Sequence, residues 1–238
     1  RDSRYRGTQG TSVVGAFGRT VAMTGLSEKA LQRLGRPYEK IYVHPPHHAG
    51  YYPGAQPMSL KLLFDPESGQ VLGAQAVGGD GVDKRIDVLA VAVQARMTVY
   101  DLEETELAYA PPFGSPKDPV NMAGFVAAGV LRGDHPVAHA DQLSDSGSQD
   151  AVVLDVRTAQ EHAAGTIPGA MLIPLHELRD RIDEIPRGRR VLVFCKVGFR
   201  GYLATRILLQ RGYQAANLSG GYTTYLHVCG PYPGERPA

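Results

Sequence analysis

The segment Arg189–Gly212, RRVLVFCKVGFRGYLATRILLQRG, runs from an apolar stretch through a cysteine and a glycine-containing loop into an amphipathic stretch closed by Gly212. The run VLVF is apolar on both faces, as a buried strand of a parallel sheet is. A strand, a tight loop and a helix in that order form the repeating unit of an α/β fold. Cys195 then falls at the C-terminal end of a central strand, where open α/β sheets place their ligands. The helix that follows points unpaired N–H groups and a positive dipole end at the loop. Lys196 and Arg200 add positive charge, so the setting favours a thiolate. Gly198 lets the backbone curl so that several N–H groups converge. These residue types suit a nucleophilic thiolate that carries a charged adduct. The competing reading is a buried structural cysteine, the usual place of a free thiol.

The alternation continues on either side. DAVVLDVR (Asp150–Arg157) reads as a strand and TAQEHAAG (Thr158–Gly165) as a short helix. AMLIP (Ala170–Pro174) reads as a short strand, LHELRDRIDEIP (Leu175–Pro186) as a helix, and QAANLSGG (Gln214–Gly221) as holding the last strand. HADQL (His139–Leu143) is a helical turn that opens this half. Residues 133–238 are therefore expected to form an α/β domain with a central parallel sheet. The polar stretch RGDHPVAHADQLSDSGSQD (Arg132–Asp150) carries the join, placed near Gly133.

Residues 1–132 read differently. TSVVGAFG and RTVAMTGL are strand candidates split at Gly18, and SEKALQRLG is a helix with Ser27 as N-cap, ending at Gly35. EKIYVH and MSLKLLFD alternate as strands do, and the latter turns through PESG into QVLGAQAVG as a hairpin. Val82, Ile86, Leu89, Val93 and Met97 recur at helical spacing, one buried face. KDPVNMAGFVAAGVL is a helix with Pro119 in its first turn. The fold class expected is α+β followed by α/β.

The 25 Lys and Arg against 24 Asp and Glu, net charge +1, argue against a nucleic-acid or anionic-membrane partner. No apolar stretch approaches the roughly 20 residues of a membrane span. Two cysteines, Cys195 and Cys229, are not a disulfide framework and indicate a reducing compartment, hence a cytoplasmic protein. The chain starts at Arg1 without Met, which leaves open that it is a fragment of a longer polypeptide. GGDGVDKR (Gly78–Arg85) lacks the GxGxxG spacing and reads as a strand–helix turn rather than a phosphate site. His44, His47 and His48 in HPPHH have no nearby Cys, Asp or Glu, so no metal site is expected.

Four residues separate Cys195 from Arg200. Protein-tyrosine-phosphatase-type loops leave five, wide enough for a phosphate, whereas the shorter loop suits a single sulfur on the cysteine. This disfavours a phosphatase or arsenate reductase. The CxxGxR loop resembles the active-site loop of the rhodanese family of sulfurtransferases. VVLDVRTAQEHAAGTIPGAMLIP (Val152–Pro174) is similar to that family's first signature and NLSGGYTTY (Asn217–Tyr225) to its last. One departure is Thr166, where the family often has His. The resemblance covers about Pro136 to Tyr225. It implies that Cys195 takes a sulfane sulfur, becomes a persulfide and hands the sulfur to a thiophile. It also implies that the backbone of Lys196, Val197, Gly198, Phe199 and Arg200 cradles that sulfur, with Arg200 tying the loop. Asp155 and Arg157 match the first signature and are expected to organise the loop structurally. Cys229 is a bystander or a second thiol that resolves the persulfide.

HHAGYYPGAQPMSLKLLFDPESGQVLGAQAVG (His47–Gly78) and ELAYAPPFGSPKDPVNMAGFVA (Glu106–Ala127), together with Tyr5–Glu28, resemble the dimerisation domain of pyridine nucleotide–disulfide oxidoreductases. The match is to the branch of coenzyme A disulfide and NADH-dependent persulfide reductases in which a rhodanese domain follows. The resemblance implies a homodimer and, for a full-length protein, FAD, NAD(P)H and coenzyme A. The flavin and nicotinamide domains and the N-terminal redox cysteine are absent from these 238 residues, so no cofactor is expected on this chain alone. Substrates implied are thiosulfate, persulfides and coenzyme A persulfide. Tyr51 and Tyr109, rather than Tyr52, match tyrosines that act beside the redox cysteine of the other subunit. A phenol there donates a proton to a departing thiolate or hydrogen-bonds it; the bland alternative is a half-buried packing residue. The function read from the sequence is thus a sulfurtransferase domain on part of a reductase. The alternative is a non-catalytic dimerisation and partner-binding module, against which the complete cysteine loop argues.

Overall fold

The computed structural model describes residues 4–5, 7–144 and 151–230. The chain divides after Leu131 into two compact units. The end of the polar join, residues 145–150, lies outside the described residues. No helix among the described residues is long and apolar enough to cross a membrane.

The first unit contains β1 (Ser12–Ala16), β2 (Arg19–Gly25), α1 (Glu28–Arg33), β3 (Glu39–Val43), β4 (Met58–Phe64), β5 (Val71–Gly78), α2 (Val82–Ala95), α3 (Val99–Glu104) and α4 (Pro119–Leu131). The strands form one antiparallel sheet in the order β1-β2-β5-β4-β3. Phe17 and Gly18, both at positive φ, make the two-residue turn between β1 and β2. Asp65 accepts the N–H groups of Glu67 and Ser68 and closes the β4–β5 hairpin. Ser27 caps α1, its hydroxyl accepting the Ala30 N–H at 3.2 Å. The core joins Ile41, Leu60, Leu62 and Ala74 of the sheet to Ile86 and Leu89 of α2 and Val120 and Ala123 of α4.

Two features depart from the sequence expectation. Met97 lies beyond α2, because Arg96 turns left-handed at φ 59 and ends the helix. Met97 instead accepts the Val71 N–H at 2.9 Å and so leads the chain back to β5. The six-residue helix α3 was not anticipated; a capping box between Thr98 and Asp101 starts it.

The second unit contains β6 (Val137–Ala138), α5 (Asp141–Ser144), β7 (Ala151–Asp155), α6 (Ala159–Ala163), β8 (Met171–Leu172), β9 (Arg190–Phe194), α7 (Phe199–Gln210), β10 (Ala215–Leu218) and α8 (Gly221–Val228). All strands are parallel, in the order β6-β10-β9-β7-β8, so β9 is central. Three corrections apply. Leu175–Pro186 is not an α-helix but a series of turns ending in a 3-10 segment, Ile182–Glu184. Most of its N–H groups reach carbonyls three residues back, as in Glu177 to Pro174 and Ile185 to Ile182, and Arg181 reaches four back to Glu177. From these turns Leu178, Ile182 and Ile185 pack into the core of the second unit. The second correction is that α7 begins at Phe199, so Phe199 and Arg200 belong to its first turn rather than to the loop. Finally, β6 and α8 were not anticipated; β6 is only two residues long, and α8 follows two glycines.

Candidate active site

Cys195 follows β9 directly and is buried. The chain then turns so that the Gly198 N–H donates to Cys195 Sγ at 3.2 Å. Gly198 stands at φ 108 as the N-cap of α7. The loop is held from beneath by α8. The Tyr222 N–H donates to the Cys195 carbonyl at 2.8 Å, and the Thr223 N–H and hydroxyl both donate to the Lys196 carbonyl at 3.0 Å. A helix N-terminus thus spends its free donors on the cysteine loop. That approach requires glycine at 221: φ is +60, and a side chain there would strike the Cys195 and Lys196 backbone.

Arg200 forms a bidentate pair with Glu161 of α6, both bonds 2.7 Å. Glu161 is also the reciprocal member of the capping box with Thr158. Arg200 foremost, together with the Thr158 N–H, holds the Glu161 carboxyl down to about 2. The Glu161 bonds, and to a lesser degree Cys195 beside it, push the Arg200 guanidinium above its ordinary value. A carboxyl depressed from 4.5 to about 2 contributes stability that is complete above pH about 4.5 and lost as pH falls toward 2. Denaturant unfolding of wild type and Glu161→Gln should therefore differ by a constant amount above pH about 4.5 and converge below it. A difference that grows on acidification would contradict this assignment.

Asp155 ends β7 fully buried and is paired with Arg157 through bonds of 2.9 and 2.7 Å. His162 and Thr166 also reach its Oδ2, at 2.9 and 3.1 Å. Burial raises the Asp155 carboxyl, but Arg157 and His162 outweigh it and the net shift is downward. Thr166, the departure from the family pattern, thus makes its own bond to Asp155. The Arg157 guanidinium lies 4.3 Å from the Tyr222 ring centre and 5.3 Å from that of Phe194. This cluster joins β7, β9 and α8. Lys196, Val197 and Phe199 are exposed at the rim of the loop. Cys229 caps the far end of α8, about 12 Å along the axis from Gly221 at 1.5 Å per residue. Its thiol donates to the Ala140 carbonyl at 3.4 Å, and burial pushes it up.

In the first unit, Tyr51 and Tyr109, 58 positions apart, are brought together: their hydroxyls are 2.9 Å from each other. Both rings are exposed, at 76% and 44%. The hydrogen bond with Tyr51 raises the Tyr109 phenol above its ordinary value. Tyr52 instead places its ring edge-on to His48. Sequence reasoning passed over what holds the pair. Arg85 on α2 is buried, forms a bidentate pair with Asp118 at 3.2 and 2.7 Å, and donates to the His47 carbonyl at 2.7 Å. The Ala49 N–H donates to the Gly114 carbonyl at 2.8 Å. Arg85 therefore ties the segment carrying Tyr51 to the one carrying Tyr109. Its guanidinium also lies against Gly81 and donates to the Gly81 carbonyl at 3.2 Å. Of the three histidines, His44 bonds Ser59, while the His47 and His48 rings lie 4.1 Å apart, His47 bonded to the Gln56 backbone and His48 to the Ala49 carbonyl.

Residues 13–118 match the family described as pyridine nucleotide-disulphide oxidoreductase, dimerisation domain, and residues 137–227 match the rhodanese-like domain. The solved structure of reduced Bacillus anthracis CoADR-RHD is 46% identical, with TM-score 0.92, over 94% of this chain and 40% of that one. A NAD-dependent persulfide reductase from A. fulgidus is 35% identical, with TM-score 0.85 and the same coverage. Coenzyme A disulfide reductase of Staphylococcus aureus is 42% identical over 123 residues, which are 52% of this chain and 28% of that protein. The chain thus spans well under half the length of these relatives.

Proposed function

In a chain that joins a pyridine nucleotide-disulphide oxidoreductase dimerisation domain to a rhodanese-like domain, we propose that Cys195 carries sulfane sulfur for a flavin-dependent coenzyme A disulfide or persulfide reductase. The carrying observation is the Gly198 N–H aimed at Cys195 Sγ, at the end of the central strand. The Cys195 thiolate attacks the outer sulfur of thiosulfate or of a persulfide. The S–S bond of the donor breaks with its electron pair on the leaving sulfite or thiolate, and Cys195 becomes a persulfide. The amide that met the thiolate lies beside the anionic terminal sulfur, and Arg200 holds the helix start in place through Glu161. A thiophile then attacks the outer sulfur and releases the Cys195 thiolate, with no net electron transfer. Mass spectrometry after thiosulfate treatment should find one added sulfur on the Cys195 peptide. Its absence there, or its presence on Cys229 instead, would overturn the proposal.

The first unit supplies the dimer and the phenols. β1 is exposed along its whole length, and Val13, Val14 and Phe17 present an apolar surface that pairing would cover. Light scattering at micromolar concentration should give a dimer, and a clean monomer would count against it. In a longer polypeptide that carries flavin and nicotinamide domains, FAD and NAD(P)H would supply the electrons, and Tyr51 and Tyr109 would face a coenzyme A thiol. One of the two hydroxyls donates to the other, and the accepting phenol keeps its own proton free to donate to a departing thiolate. Tyr51→Phe/Tyr109→Phe should slow disulfide or persulfide reduction by about 10²-fold or more in the longer polypeptide. A double variant turning over at the wild-type rate would rule that role out.

A further inference from the structure

We infer that Asn217, held by His135, positions Gly198 so that its N–H meets the sulfur of Cys195. The inference rests on the proposed role of Cys195. Asn217 lies on β10, paired in register with Val193 of β9, and is buried. Its Nδ2 donates to the Gly198 carbonyl at 3.0 Å and to His135 Nε2 at 3.0 Å. Both hydrogens of the amide are used, while Oδ1 is buried without a partner. A flipped amide would set Oδ1 against the Gly198 carbonyl, so the donor orientation is the favourable one. Gly201 makes the room: a side chain there would collide with Asn217 Oδ1.

Gly198 is thereby fixed from two sides. Its N–H faces Sγ, and its carbonyl accepts from Asn217 and from the Tyr202 N–H at 2.8 Å. The residue's left-handed conformation is thus pinned by a side chain outside the loop. His135 in turn must accept at Nε2. It is buried, tilted over the Tyr202 ring at 4.6 Å, and burial pushes it down to about 4, so the ring stays neutral and keeps that lone pair. A donor amide between a neutral imidazole and a loop carbonyl holds one rotamer.

Three variants of the full chain test this: Asn217→Leu, His135→Leu and His135→Gln. The readouts are the iodoacetamide alkylation rate of Cys195 at one neutral pH and the kinetics of thiosulfate-to-cyanide transfer. Asn217→Leu should slow alkylation about tenfold, the worth of one well-placed hydrogen bond to a charged group. It should lower kcat by a similar factor with KM for thiosulfate unchanged. His135→Leu should fall between that variant and wild type, and His135→Gln, which retains an acceptor, should recover most of the loss. A cooperatively melting Asn217→Leu that alkylates at the wild-type rate overturns the inference. If that variant does not fold, a wild-type rate in His135→Leu overturns it equally, as does a His135→Gln as slow as His135→Leu. Failure of wild type to load sulfur on Cys195 would instead sink the proposed function, and the alkylation comparison would still stand.

Discussion

Cys195→Ser is expected to reduce thiosulfate-to-cyanide transfer by roughly 10³-fold or more while leaving the second unit's melting transition nearly unchanged. The two expectations together make the result informative. Sulfur and oxygen differ little in size, and the Gly198 N–H still finds an acceptor in the serine hydroxyl. The loop also keeps the bonds from Tyr222 and Thr223, which end on backbone carbonyls and not on the side chain. Chemistry is what is lost: an alkoxide is far harder to form than a thiolate, and no S–S bond can be made to it. A Cys195→Ser protein that transfers sulfur at the wild-type rate would remove the carrier role and favour the partner-binding alternative. A protein that loses both activity and melting transition would mean that Cys195 is a packing residue first.

Arg85→Leu should destabilise the first unit by about 3–5 kcal/mol, lowering its melting temperature by roughly 10 °C or more. The change leaves Asp118 buried without its guanidinium and the His47 carbonyl without its donor. Asp118 also accepts the Val120 N–H at 3.1 Å at the start of α4, so its displacement loosens that helix start as well. Arg85→Leu/Asp118→Asn should recover part of the loss, because the amide carries no charge yet still accepts that N–H. The same single variant should disturb the Tyr51–Tyr109 pair, since Arg85 ties the segments bearing them. A loss below about 1 kcal/mol would show that water reaches the Asp118 carboxylate and that the pair belongs to the surface class.

Much of the site was legible in local sequence. The β9–loop–α7 unit is encoded within Arg189–Gly212, by an apolar run of strand length, a glycine at the turn and an amphipathic run with a glycine stop. The same holds for the capped helices α1 and α6, where one side chain closes the first turn. Short elements were not legible. The two-residue strand β6 forms only because β10 offers it hydrogen bonds, and α3 is too short to show a period. Leu175–Pro186 carries a helix-like charge pattern, yet it forms turns from which Leu178, Ile182 and Ile185 pack into the core.

Cys195, Arg200, Tyr51 and Tyr109 could be named from their residue types, their spacing and the resemblance those carried. Their partners could not. Glu161 lies 39 positions before Arg200, Asn217 lies 82 positions after His135, and Arg85 lies 33 positions before Asp118. A cap or a turn is a contact between neighbours in the chain and leaves its pattern there. A buried polar contact between distant segments exists only once the sheet has set its strands side by side, and it persists because an unpaired polar group in that interior would be costly.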